Sequence, residues 1–202
     1  MANALKIISL LLSYPTADLI KAAPELHEAL AGDPMTGPSE KALIGTLIDD
    51  ISALDVYDAQ ERYVLLFDRT RTLSLHLFEH VHGESRDRGQ AMVDLATMYE
   101  AQGFDIEASE LPEFLPLFLE YLSTQSPEEI DNLLAQTLHV VAALRGRVQK
   151  RDSIYANALL ALEAISGSVP DAEAVEAILA EPEDDPADLE AMDKIWEEEV
   201  VA

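Results

Sequence analysis

Ser126-Pro127-Glu128-Glu129 opens a run in which Ile130, Leu133, Leu134, Leu138, Val141 and Leu144 recur every three or four positions up to Gly146. The serine oxygen accepts the N–H three residues on, and the glutamate at that position reaches back. Proline fits the first helical position because its missing N–H would be unpaired there anyway. An apolar stripe this wide on a long helix must be covered by other apolar surface. Period-two alternation is almost absent elsewhere, so no sheet is on offer to cover it. Helices have to pack on helices.

The rest of the chain supplies them. Residues 2–13 read as an apolar helix ended by Ser13-Tyr14-Pro15, and residues 16–31 as helix interrupted around Pro24. After the Gly32–Pro38 loop, Ser39 caps a helix to about Leu54, and Asp55 opens another to about Asp68. A short helix from Ser74 to His82 stops at Gly83. Arg86 to Gln102 follows, with Met92, Leu95, Ala96 and Tyr99 on one face and Gly103 at its end. Glu110–Leu122 carries Pro112 and Pro116, Ser153–Ile165 closes at Gly167, and Asp171–Ala180 ends before Pro182. No fixed-period repeat argues for a solenoid. The expectation is an all-α fold, a single-domain helical bundle of about eight to ten helices over residues 1–180. An acidic, partly disordered C-terminal tail over 181–202 follows, in which Leu189, Met192, Ile195 and Trp196 are spaced for a short amphipathic helix.

Composition removes several function classes. There are no cysteines, so thiolate metal sites, iron–sulfur ligation and cysteine nucleophiles are excluded. The apolar run Ile7–Leu12 is too short for a membrane span and lacks a cleavage site, so the N-terminus reads as a buried helix of a cytoplasmic protein. The net charge is −26, of which residues 181–202 carry −9 and the remainder −17. Such a field repels nucleic acid and anionic lipid and favours basic partners.

The densest chemistry lies between Tyr63 and Leu95. His76-Leu-Phe-Glu79-His80 matches the HxxEH pattern of zinc hydrolases. On one helix His76 and His80 would share a metal with Glu79 as general base, which gives a zinc-dependent hydrolase as the alternative function. Tyr63, Leu66 and Phe67 at i, i+3 and i+4 form an apolar face that serves either a core or a groove, followed abruptly by Asp68-Arg69-Thr70-Arg71. Arg86-Asp87-Arg88 is of mixed charge and reads as surface ion pairs or a groove rim. In Leu111-Pro112-Glu113-Phe114-Leu115-Pro116-Leu117-Phe118-Leu119, two prolines four apart leave backbone carbonyls unpaired beside aromatic rings. That suits a proline-capped core helix or a peptide-capturing groove equally. Phosphate-cradling and nucleophile-elbow motifs are missing.

Tyr63-Val-Leu-Leu-Phe67-Asp68-Arg69, the run from Ser74 to Met92, and LPEFLPLFLEYLS at residues 111–123 resemble the NarJ-type nitrate reductase molybdenum-cofactor assembly chaperones. These form one branch of the NarJ/TorD/DmsD redox-enzyme maturation chaperones. The resemblance implies an all-helical cytoplasmic chaperone that is not an enzyme. Its partner would be the catalytic α subunit of respiratory nitrate reductase, bound through an N-terminal leader-like segment. It would hold that segment for molybdenum cofactor insertion, delay membrane docking, and retain no cofactor stably itself. It would bind no nucleic acid and insert in no membrane. In the wider family a YxxLF-like helix corresponds to Tyr63, Leu66 and Phe67. An ExxDH-like element corresponds to Glu110–Phe114, with Glu113 for the aspartate and Phe114 for the histidine. The expected peptide-binding set is therefore Tyr63, Leu66, Phe67, Asp68, Glu79, Glu113 and Phe114, the carboxylates Glu79 and Glu113 pairing with positive charge on the leader.

Overall fold

The computed structural model describes residues 3–83, 85–106 and 110–183. Eleven α-helices are found among these residues, and no strand. The amphipathic segment around Trp196 lies outside the described residues.

Helix α1 (Asn3–Leu11) is apolar on nearly every side and is the central rod, with Leu5, Ile8 and Leu11 buried. Its first turn has free N–H groups that a buried position cannot leave unpaired. Asp33, 2% exposed, supplies one carboxylate oxygen to the Ala4 N–H at 2.9 Å and the other to the Met35 N–H at 2.8 Å. The loop after α2 (Ala17–Lys21) and α3 (Ala23–Ala31) is thereby tied to the start of the chain. The break between those two helices falls at Ala22, where Pro24 enters the first turn of α3.

Helices α4 (Pro38–Ser52) and α5 (Val56–Tyr63) follow, α5 capped by Asp55, whose carboxylate accepts the Tyr57 N–H at 2.9 Å. The expected continuation of α5 to Asp68 is helical but wider. Val64–Asp68 is a π turn, closed by the Arg69 N–H on the Val64 carbonyl at 3.1 Å, and Arg71–Leu73 is a single 3-10 turn.

Two expected helices are shorter than their patterns. Ser74–His82 is helical only over α6 (Glu79–His82), and Glu110–Leu122 only over α8 (Leu115–Leu122). The prolines give the reason. A helix begun at Glu110 would place Pro116 in its interior, against the carbonyl of residue 112. Beginning at Leu115 puts Pro116 in the first turn, where it costs nothing. The stretch ahead of it then pairs with residues 75–77: the Leu77 N–H meets the Glu113 carbonyl at 3.1 Å, and the Leu115 N–H meets the Leu75 carbonyl at 2.8 Å. Backbone committed to that bridge is unavailable to a helix.

Helix α7 (Arg86–Ala101) lies between these two segments. Helix α9 (Pro127–Lys150) begins at the expected cap, with Ser126 Oγ accepting the Glu129 N–H at 3.3 Å. It runs past Gly146 because α11 (Ala172–Leu179) packs there, Leu179 covering the glycine. Helix α10 (Ala156–Ser166) fits between α9 and α4, closed by the left-handed Gly167. No helix among the described residues is long and apolar enough to cross a membrane.

Candidate functional site

Tyr63, Leu66 and Phe67 face inward. Tyr63 and Phe67 are each 4% exposed, and their rings, 5.1 Å apart, close around Tyr155, with Tyr14 at the outer edge of Tyr63. The Tyr63 hydroxyl donates to the Leu12 carbonyl at 3.0 Å, and burial pushes its pKa well above the ordinary phenol range. The extra residue of the π turn rotates Leu65 out to solvent while Leu66 stays inside. Beside the turn an open cleft of ≈ 780 Å³ is floored by Leu54, Leu65, Leu66 and Ile154 and rimmed by charges of both signs, Asp50, Asp58 and Glu61 with Arg62 and Arg151. Asp68 ends the turn exposed. Partial desolvation on its inner side pushes its carboxyl upward, and nearby His76 pulls it down.

Phe114 belongs to another cluster. It is half-buried, stacked on His76 with ring centres 5.3 Å apart, at the bridge joining residues 76 and 114. One exposed trough through Tyr63, Phe67 and Phe114 is therefore absent from this conformation. The first two rings are needed to fill the space between α1, the π turn and α10, where Tyr155 begins.

Glu113 is fully buried, and the structure gives its expected positive partner from within. One oxygen accepts the Phe78 N–H at 2.6 Å. The other takes Arg88 Nε at 2.7 Å and Nη2 at 2.5 Å, and the same Nη2 reaches Glu79 at 3.0 Å. Arg88 comes from the first turn of α7. A carboxylate removed from water this completely needs both a cation and hydrogen bonds, and it has them. In the sequence Arg86-Asp87-Arg88 reads as surface charge. Nothing in its spacing separates Arg88 from Arg86, since the difference lies in which arginine meets Glu113 once the chain is folded.

The HxxEH pattern does not assemble as a metal site. His76 is in the extended bridge, one turn short of α6, so it does not stand over His80. His80 is 7% exposed, and its Nε2–H donates to the Ser74 carbonyl at 2.7 Å. That contact fixes its tautomer, because a carbonyl only accepts. Burial lowers its pKa, and Arg147 lowers it further. Glu79 is taken by Arg88. Among the described residues no three His, Asp or Glu side chains are grouped to hold a metal ion.

A second buried cation escaped the sequence reading. Arg147, 1% exposed, donates to the Thr72 carbonyl at 2.8 Å and to the Ile178 carbonyl at 2.5 Å. It thereby ties the 3-10 turn to the C-terminal end of α11, where helix carbonyls lack intrahelical partners.

Between α6, α7 and α9 lies an apolar cavity of ≈ 200 Å³, walled by Leu77, Phe78, Leu95, Phe118, Leu133 and Val140, with His82 and His139 at its edge. Phe78 is the link between this cavity and the charge cluster, since its N–H sits on Glu113. The arrangement offers an apolar socket beside a carboxylate pair.

Residues 17–161 match the family described as nitrate reductase delta subunit. The chain is 42% identical over 198 residues to the Escherichia coli K12 nitrate reductase molybdenum cofactor assembly chaperone NarJ, covering 98% of this chain and 83% of that one. It is 38% identical, over 98% of this chain and 82% of the relative, to the probable chaperone NarW of the same strain. Its fold is similar to a crystal structure from Archaeoglobus fulgidus of a candidate redox enzyme maturation protein. The TM-score is 0.60 at 22% identity, over 83% of this chain and 94% of that one. The family match over residues 17–161 and the similarity over nearly the whole chain converge on one assignment: this chain belongs to the nitrate reductase delta subunit family, that of the NarJ-type molybdenum cofactor assembly chaperones.

Proposed function

We propose that this chain is a cytoplasmic assembly chaperone, and not an enzyme, for a respiratory nitrate reductase. Its client is the catalytic α subunit, captured by an N-terminal leader-like segment, held while the molybdenum cofactor is inserted, and kept from the membrane until then. The cofactor goes to the client and is not retained. The observation that carries this reading is similarity to named chaperones of that system over nearly the whole chain.

The site chemistry supports it. A leader that is helical with apolar anchors and a basic residue needs an apolar recess and a carboxylate. Glu79, Glu113 and Phe114 provide these on one side of the bridge, with Asp68 near His76 extending the acidic rim. Leu66 is reached from the neighbouring cleft, while Tyr63 and Phe67 hold its wall from inside. Full burial of each apolar anchor contributes roughly 1.5–3 kcal/mol before ordering costs.

Titration calorimetry with a synthetic peptide of the α subunit's first ~15 residues, a length at which isolated helices are marginal, tests the reading. Saturable heat is expected. Absence of heat at high-micromolar peptide, with the chaperone folded by circular dichroism, would overturn it.

A further inference from the structure

Among the long helices α7 is the least embedded. Of its 16 residues only Tyr99 is buried, and Val93 is 59% exposed. Fastenings are concentrated at its two ends. At the C-terminal end the Tyr99 hydroxyl donates to the Pro112 carbonyl at 2.9 Å, and its ring packs 4.5 Å from Tyr121. At the N-terminal end Arg88 sits on Glu113 and Glu79. Glycines with positive φ bracket the helix, Gly83 at 54° and Gly103 at 72°, and a Cβ at either would meet nothing within 4 Å. Both hold a left-handed backbone conformation that glycine adopts without steric cost, and the space around each is open. Beneath the helix is the apolar cavity, to which α7 contributes Leu95 alone.

The charge cluster decides what this means. Glu113 must be neutralised wherever it is so fully buried. The fold supplies its cation from the least embedded of the long helices and not from the core. Arg147, the core's own buried arginine, binds backbone carbonyls instead. Exchanging one guanidinium for another on Glu113 changes little electrostatically, so an incoming cation can release α7 without stranding a buried charge.

We propose that α7 is a latched cover over the cavity and that Arg88 holds the Glu79–Glu113 pair in place of a client cation. A client peptide carrying an arginine or lysine beside a large apolar side chain displaces Arg88, swings α7 about Gly83 and Gly103, and seats its apolar group where Leu95 packs now. This rests on the reading above that the client is taken by its leading segment; what it adds is the device that opens the site.

The chain has no cysteine, so two spin labels can be placed cleanly at Val93→Cys on α7 and Gln149→Cys on α9, both exposed. Pulsed dipolar spectroscopy then reads the separation of the two helices. With the ~15-residue peptide, the distribution is expected to shift to a new separation. Arg88→Ala is expected to show that shift without peptide, helicity unchanged, and to bind peptide about tenfold tighter, equivalent to ~1.4 kcal/mol. Calorimetric binding with an unmoved wild-type separation overturns the cover and leaves the client reading standing. A shift in Arg88→Ala with no peptide heat in either protein supports the cover and removes the client reading. Weaker binding in Arg88→Ala overturns the competition. Should Arg88→Ala fail to fold, the wild-type separation with and without peptide decides alone.

Discussion

Glu113 and Arg88 form a charge pair that water reaches only from the arginine side, since Arg88 keeps 16% side-chain exposure and Glu113 none. Removing either partner leaves the other without its counter-charge. Glu113→Gln should therefore lower stability by about 3 kcal/mol, the low end for a broken buried pair because Arg88 can turn to solvent. In a double-mutant cycle, Glu113→Gln with Arg88→Met should recover part of that loss in urea unfolding. His80 makes a second residue-scale case. Its pKa is lowered in the fold, so below about 6.5 the unfolded chain takes up a proton that the folded chain refuses. Stability is then full above that pH and falls as pH drops towards the lowered folded value. His139, lowered by burial too, acts in the same direction, whereas Asp68, raised in the fold, acts oppositely and at lower pH. His80→Gln, which keeps a donor for Ser74, should flatten the loss between pH 7 and pH 5, measured as Tm against pH.

At the scale of elements, the π turn shows how one extra residue divides a helix between two tasks. It keeps Phe67 inside against Tyr155 while Leu65 faces the cleft. Phe67→Ala should consequently cost about 3–5 kcal/mol of stability, seen in denaturant unfolding, and not merely weaken peptide binding. Arg147 plays the corresponding part for α11. Arg147→Met removes the guanidinium bonds to the Thr72 and Ile178 carbonyls and should speed amide exchange over residues 172–179 while α9 stays protected. The start of α9 is simpler: Ser126→Ala should cost about 1 kcal/mol, because only one cap bond is lost. That cap was readable in the sequence, since its partners are three residues apart. Arg147 was not, because its partners are 75 and 31 residues away.

The whole molecule carries −26 on 202 residues, a field that draws a basic peptide inward and fades with salt. Raising ionic strength from ~0.05 to ~0.5 M should slow association with the leader peptide about tenfold or more in stopped-flow mixing, while dissociation changes much less. The helical class, the caps of α5 and α9, and the apolar stripe of α9 were legible in the chain. Each depends on residues within a turn or two of one another, and periodicity reports such neighbours directly. The cap read at Ser39 is not one, since α4 starts at Pro38 with Gly37 before it. The LPEFLPLFL stretch was ambiguous between core and groove, and the fold divides it at Leu115. Leu115–Leu119 are core, while Phe114 and Glu113 sit at the bridge to residues 75–77. Only the tertiary structure decided that Tyr63 and Phe67 turn inward, that His76 and His80 part company, and that Arg88 and no other arginine neutralises Glu113. Those outcomes depend on burial and on partners brought from distant parts of the chain, and neither quantity exists before the helices have packed.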